Sequence, residues 1–212
     1  NDELVIEQKG IYSIEKFIVA RRLMYWQVYL HKTVISAEFM LVKVLERAKE
    51  LAKQGKELFC SPSLHLFLYN DISKSDFQRK EIIEAFAQLD DTDILGAIKV
   101  WTSHDDKVLS LLSSMIINRN LLKIKMQPEP FDDNKIQAKK EEIASRLNIP
   151  IEETEYFVFS DWIENNAYNP ESDRINILFK DGTVKDICEA SDNLNIQALA
   201  KPVRKHFLCY PK

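Results

Sequence analysis

Leu122-Lys123-Ile124-Lys125-Met126-Gln127 alternates apolar with polar side chains, the period of two that turns one face of a strand inward and the other to water. Upstream the period is helical. From Ile14 to about Lys53 good helix formers run without a Gly or a Pro, which predicts one very long helix, or two with a kink, with Ser13 as N-cap. The β-branched run Thr33, Val34 and Ile35 is the expected weak point, because such side chains lose rotamers against the preceding turn. Gly55 is the expected stop. Residues 56 to 74 read as a loop and a short helix, and Phe77, Ile82, Ile83 and Phe86 recur at helical spacing within Ser75 to Leu89. Asp90, Asp91 and Asp93 precede Ile94 to Trp101, and Asp106 precedes Val108 to Asn118, carboxylates placed where a helix N-terminus is positive.

Beyond the alternating stretch, Asp132 to Asn148 reads as an amphipathic helix and Tyr156 to Ser160 as a strand. Ile175 to Phe179 and Thr183 to Ile187 flank Lys180-Asp181-Gly182 as a hairpin, and Phe207 to Tyr210 reads as a closing strand. The expected class is therefore α+β: a mostly helical part with a long helix over residues 1–120, then a small α+β subdomain over residues 121–212 with a mainly antiparallel sheet.

Composition narrows the partners. With 45% hydrophobic and 29% charged residues the 212-residue chain has the balance of a folded globular protein. Lys and Arg number 29 against 33 acids, a formal charge of -4, so no overall positive field draws in nucleic acid. Lys201, Arg204, Lys205 and His206 form a local basic run of the kind a nucleic-acid-binding tail would use, against an acidic overall balance. The most apolar stretch, residues 17 to 45, is broken by Arg21, Arg22, His31, Lys32, Glu38 and Lys43, too many charges for a membrane span of about 20 apolar residues. No membrane partner is expected. The first residues lack the apolar core of a signal peptide, which makes a cytoplasmic setting the expectation. Cys60, Cys188 and Cys209 are odd in number and widely spaced, as reduced thiols are. The chain opens on Asn1 rather than Met, as a fragment would.

Four glycines, Gly10, Gly55, Gly96 and Gly182, cannot build a Gly-rich phosphate loop, and no His-Glu-x-x-His, paired Cys-x-x-Cys or Gly-x-Ser-x-Gly occurs. Ser13-Ile14-Glu15-Lys16 matches Ser-x-x-Lys, but beside a helix start it reads as a cap. His104-Asp105 reads as a polar turn closed by Asp106 rather than as a metal site, which needs several convergent ligands. Asp90, Asp91 and Asp93 supply too few oxygens for a hard cation, and His65 and His206, single among apolar residues, read as structural.

The stretch with chemical content is Ala20-Arg21-Arg22-Leu23-Met24-Tyr25-Trp26-Gln27-Val28-Tyr29-Leu30-His31-Lys32. On a regular helix Arg21, Tyr25, Tyr29 and Lys32 fall within an arc of about 80°, with His31 roughly opposite Tyr29. Two cations and two phenols on one stripe suit a nucleoside polyphosphate, since a guanidinium forks onto phosphate and a tyrosine stacks on a sugar or base while its hydroxyl donates. The same pattern also arises when aromatics pack in a core and charges snorkel to its edge, and spacing alone favours that packing.

Ser13-Ile14-Glu15-Lys16-Phe17, Ala20-Arg21 and Tyr29-Leu30-His31-Lys32 resemble the helix that follows the metal site in HD-domain dNTP triphosphohydrolases. Leu89 to Asp93 and Asn118 to Leu122 extend the resemblance more weakly, so that it covers roughly residues 1–125. It implies that Arg21 contacts phosphate, that Tyr29 lies at the sugar, and that Tyr25 stands where some members place a histidine near the reacting phosphate. It also implies that His31 and Lys32 border a regulatory nucleotide site at a subunit interface. The family's metal ligands, a histidine, a His-Asp pair and a later aspartate, lie upstream of the matching helix, and none is in this chain. A divalent metal is thus expected in the parent enzyme and none in this segment. The implied parent is a homo-oligomer that hydrolyses a deoxynucleoside triphosphate, dGTP-like, to deoxynucleoside and triphosphate. The segment would supply pocket and subunit contacts and be inactive alone. The rival reading is a non-enzymatic oligomerisation or protein-interaction module.

Overall fold

The computed structural model describes residues 4–165, 167–193, 196 and 201–212. Its elements in chain order are β1 (Val5–Glu7), α1 (Ile11–Met24), a π-helical turn (Tyr25–Tyr29), α2 (Lys32–Lys53), α3 (Pro62–Tyr69), α4 (Lys80–Gln88), α5 (Asp91–Trp101) and α6 (Lys107–Ile117). There follow β2 (Lys123–Gln127), α7 (Asp133–Leu147), β3 (Phe159–Asn165), β4 (Asn176–Leu178), β5 (Val184–Asp186), α8 (Ile187–Ala190) and β6 (Val203–Tyr210). The class is α+β, with strands gathered into the three-stranded sheets β1-β4-β5 and β2-β6-β3.

By packing the chain divides into two compact units, neither of them a continuous stretch: unit 1 takes residues 1–35, 126–131 and 161–207, and unit 2 takes 36–125, 132–160 and 208–212. The division of the sequence at residue 120 is one of secondary structure, set by the change of period.

In unit 1 the expected hairpin is present, β4 pairing antiparallel with β5 in the register Asn176↔Asp186 and Leu178↔Val184. Its other neighbour is β1, parallel, with Ile6↔Ile177. Three residues are too few to show a period, so β1 has no sequence signal of its own. Helix α1 buries Ile11, Glu15 and Ile18, positions four and three apart that share one face, in a core with Tyr168, Ile177, Ile187 and Ile196. Buried Glu15 accepts a hydrogen bond from Ser191 Oγ. A Cβ at Gly10 would lie 2.7 Å from Ile6 Cγ2, so glycine is what lets the 3₁₀ turn Gln8–Gly10 join β1 to α1 this closely.

Unit 2 is built on α2, whose Met40, Val44, Ala48 and Leu51 are buried at the i, i+4, i+8, i+11 positions of one helix stripe. Trp101, Ile98, Leu109, Leu112 and Ile143 complete the core, and the Trp101 indole donates to Phe59 O at 3.0 Å, which satisfies its one polar atom. Leu122 and Ile124 are buried while Lys123 and Lys125 are exposed, the alternation read from the sequence.

The carboxylate caps form. Asp90 Oδ1 accepts from the Thr92 and Asp93 amides while Asp93 returns a bond to the Asp90 amide, a reciprocal cap that leaves no cluster free for a cation. Asp106 and Asp132 cap α6 and α7. Helix α2 ends with Lys56 N donating to Leu51 O and Gly55 N to Ala52 O, both at 3.0 Å, the paired bonds of a left-handed glycine terminus. Gly55 has φ 77°, so Gly55→Ala is expected to destabilise the protein by about 1 kcal/mol. Urea unfolding with an unchanged m-value is the measurement, and a variant as stable as the parent would contradict the strain argument.

Three details differ from the sequence reading. Helix α1 begins at Ile11 with Gly10 at its cap and no side-chain bond, so Ser13 lies inside the helix and caps nothing. The long helix is interrupted at Tyr25 to His31 rather than at Thr33 to Ile35, which lie inside α2. Burial of Ile35, 1% exposed, offsets the poor helix propensity of that run. The apolar run from Tyr156 is a 3₁₀ turn (Glu152–Tyr156) followed by a strand that starts only at Phe159. Large buried side chains fit a buried turn as well as a strand, and periodicity cannot separate the two over five residues.

Candidate functional site

Helix α1 turns its Ile11-Glu15-Ile18 face to the core of unit 1, which leaves Phe17, Arg21, Met24 and Tyr25 on another side. Beyond Met24 the helix widens: Leu30 N donates to Tyr25 O at 2.7 Å, a five-residue spacing in place of four. Trp26, Val28 and Tyr29 are poor helix formers, and Tyr29, four residues on, stays beside Tyr25 through the widened turn. Their ring centroids are 5.1 Å apart at 55°. The Arg21 guanidinium carbon lies 5.5 Å from the centre of the Tyr25 ring, within cation–π range.

Phe17, Ala20, Arg21, Met24, Tyr25 and Tyr29 line one groove of about 470 Å³, of the size that takes a small ligand. Arg21 is exposed and forms no ion pair among the described residues. Half of the Tyr29 surface is exposed, so its ring is not sealed in a core. The groove can therefore offer a free planar cation, two phenols and an apolar floor.

His31 and Lys32 stand elsewhere. The His31 Nδ1 accepts from the Thr33 amide at 3.3 Å, which makes His31 the cap of α2. Lys32 is the exposed first residue of that helix. Because the π-helical turn breaks the helical phase, the stripe of four expected on a regular helix loses Lys32, and the groove keeps Arg21, Tyr25 and Tyr29.

One part of unit 1 had no signal in the sequence. Residues 167 to 175 return to α1 from far along the chain, and Phe17 and Arg21 line a second, polar pocket with Asn169, Ser172 and Asp173. Two cations of the basic run Lys201 to His206 are already engaged. Arg204 bonds Glu164 at 3.1 Å with its guanidinium carbon 3.8 Å from the Trp162 ring centre, and Lys205 Nζ lies 3.9 Å from that of Trp26.

In unit 2 the polar hollow of about 410 Å³ beside Arg47, Lys56, His104, Asp105 and Asp106 holds the literal His-Asp pair. His104 Nδ1 accepts from the Asp106 amide at 2.9 Å, and Asp106 Oδ1 accepts from Leu109 N at 2.8 Å, a capped turn. Among the described residues no group of three or more His, Cys, Asp or Glu side chains is arranged to hold a metal ion, so the residues described do not fit the metal the family resemblance calls for. Nor, among them, is any helix long and apolar enough to cross a membrane.

The groove lies wholly within a recognisable sequence region. Residues 1–61 match the HD associated region. Over its whole length the chain is similar to a phosphohydrolase of solved structure from Bacteroides thetaiotaomicron VPI-5482, with 54% identity, a TM-score of 0.90 and 53% of that chain covered. It is also 30% identical over 218 residues to the uncharacterized protein YwfO of Bacillus subtilis (strain 168), covering 47% of that protein. The chain thus spans about half the length of both relatives; its first 61 residues match an HD associated region, and over its whole length it is similar to a phosphohydrolase. That region carries β1, α1, the π-helical turn and α2, so Arg21, Tyr25, Tyr29, His31 and Lys32 all belong to it.

Proposed function

We propose that this chain is the C-terminal part of an HD-domain phosphohydrolase whose parent hydrolyses deoxynucleoside triphosphates, dGTP-like, to deoxynucleoside and inorganic triphosphate. The groove formed by Arg21, Tyr25 and Tyr29 carries the reading, and its place in a stretch that matches an HD associated region, in a chain similar to a phosphohydrolase, supports it. An unpaired guanidinium neutralises and orients a polyphosphate by its planar fork, and the phenol rings beside it supply apolar faces against which a deoxyribose packs. The work of these residues is to bind and orient. The divalent metal and the water it activates belong, in this reading, to parts of the parent outside the described residues. His31 and Lys32 serve a second nucleotide or a subunit contact at the start of α2.

The test is to incubate the full-length protein with a divalent metal and the four deoxynucleoside triphosphates and to identify the products. Deoxynucleoside plus triphosphate is expected, with no turnover by the 212-residue chain alone. Release of orthophosphate or diphosphate, or no hydrolysis by the full-length protein, overturns the reading. The exposed apolar side chains of α1 and the turn after it, Tyr12, Phe17, Leu23, Met24 and Val28, favour a second reading, an oligomerisation or protein-interaction surface. Under that reading substitutions at Leu23 and Val28 change assembly while nucleotides have no effect.

A further inference from the structure

Two hollows of unit 1 share a wall. Phe17 and Arg21 line the apolar groove and also the polar pocket of about 380 Å³ whose other side includes Asn169, Ser172 and Asp173. Arg21 and Asp173 line this pocket with opposite charges, and among the described residues neither forms an ion pair. Charges left apart in one small pocket can meet a ligand that carries an anion at one end and N–H donors at the other.

The Asp173 carboxylate is held by its own loop. Its amide donates to Asn169 O at 2.9 Å and Ser172 Oγ donates to Oδ2 at 3.0 Å, which leaves Oδ1 and a lone pair on Oδ2. Asn169 Oδ1 accepts the Glu171 amide at 3.0 Å, so Asn169 keeps its Nδ2 as a donor. Tyr168 is already committed, its hydroxyl bonding Asp186 and the Ile175 amide. Phe17, 54% exposed, offers a ring for stacking.

A carboxylate with lone pairs left on both oxygens, able to accept from two adjacent N–H groups, matches one base edge among the four. Guanine presents two adjacent donors, N1–H and the 2-amino group, next to the acceptor O6, whereas adenine and cytosine set an acceptor beside their one amino group and thymine flanks its single N–H with carbonyls. We infer that this pocket is the base subsite of the nucleotide whose phosphates Arg21 holds, and that Asp173 determines specificity by selecting guanine. The inference rests on the reading of Arg21 as a phosphate ligand.

The experiment compares dGTP with dITP, which lacks only the 2-amino group, in both equilibrium binding and hydrolysis by the metal-supplemented full-length protein. The wild type is expected to favour dGTP about tenfold or more, and Asp173→Asn, which sets its own N–H against those of the base, to bring the two within about twofold. Asp173 is exposed, and an unchanged thermal melt shows that the variant is folded. Equal binding of dGTP and dITP by the wild type, or a ratio unchanged in Asp173→Asn, overturns the inference. If deoxynucleoside triphosphates are hydrolysed and Arg21→Ala abolishes it while Asp173→Asn leaves the ratio intact, this inference alone fails. If dGTP binds selectively and nothing is hydrolysed, the proposed activity fails and the subsite stands.

Discussion

Arg21→Ala in the full-length protein is expected to lower kcat/KM for deoxynucleoside triphosphates by about 10²–10³-fold, the range seen when one preorganised donor to a charged reacting group is removed. The side chain is exposed, has no ion-pair partner among the described residues, and touches the protein through the face of Tyr25. Alanine is the best helix former, so the substitution in α1 should not weaken the fold. The loss is therefore readable as function. Arg21→Lys keeps the charge but not the planar fork and is expected to recover only part of the activity. Activity within about twofold of wild type for Arg21→Ala, against that expected range, would remove Arg21 from any phosphate site. A changed oligomeric state with unchanged hydrolysis would favour the interaction surface.

Arg47→Ala is expected to destabilise the protein by about 3 kcal/mol, because removing one member of a largely buried ionic cluster leaves the others without compensation. From α2 the guanidinium reaches Asp106 with two bonds, Nε to Oδ1 at 3.1 Å and Nη2 to Oδ2 at 2.6 Å, and Glu153 at 2.9 Å. The Arg47 and Asp106 side chains are only 12% and 15% exposed. Beside them the Tyr156 hydroxyl bonds Glu50, and burial followed by that bond pushes the phenol above its ordinary range. Urea unfolding measures the loss, and a change below about 1 kcal/mol would mean that the cluster behaves as a surface ion pair.

The same cluster gives a pH dependence with a definite sign. Burial raises the Asp106 carboxyl, but the bonds from Arg47 and the Leu109 amide outweigh it, and the group is held below the ordinary carboxylate range. A depressed folded value means that the stabilisation is present above the unfolded pKa of about 3.9 and is lost as the pH falls through the lower folded value. Stability should therefore fall more steeply below about pH 4 in the wild type than in Arg47→Ala, whose Asp106 has lost its main partner. Parallel acid profiles for the two proteins would contradict this assignment.

The candidate site was legible to a limited depth. Arg21, Tyr25 and Tyr29 could be singled out because a cation and two phenols at fourfold spacing share a face, and they do line one groove. Lys32 could not be judged, because the sequence contains no Gly or Pro to mark the break after Tyr25. The π-helical turn there depends on five-residue hydrogen bonds, such as Leu30 N to Tyr25 O, that periodicity does not encode. Asn169, Ser172 and Asp173 gave no signal, since ordinary polar loop residues become a pocket wall only when the chain returns to α1.

The helical caps of Asp90, Asp106 and Asp132, the glycine stop at Gly55, the alternation of Leu122 to Gln127 and the hairpin about Gly182 were determined by the sequence itself. Each depends on interactions within a few residues: a side chain satisfying free amides, a backbone angle only glycine adopts easily, or a two-residue period. Tertiary structure alone decided that β1 joins β4 across some 170 residues, that Arg47 unites α2 with Asp106 and Glu153, and that residues 167 to 175 face Arg21. Those contacts are chosen by which buried faces can cover one another, a condition on the folded chain as a whole that no local window contains.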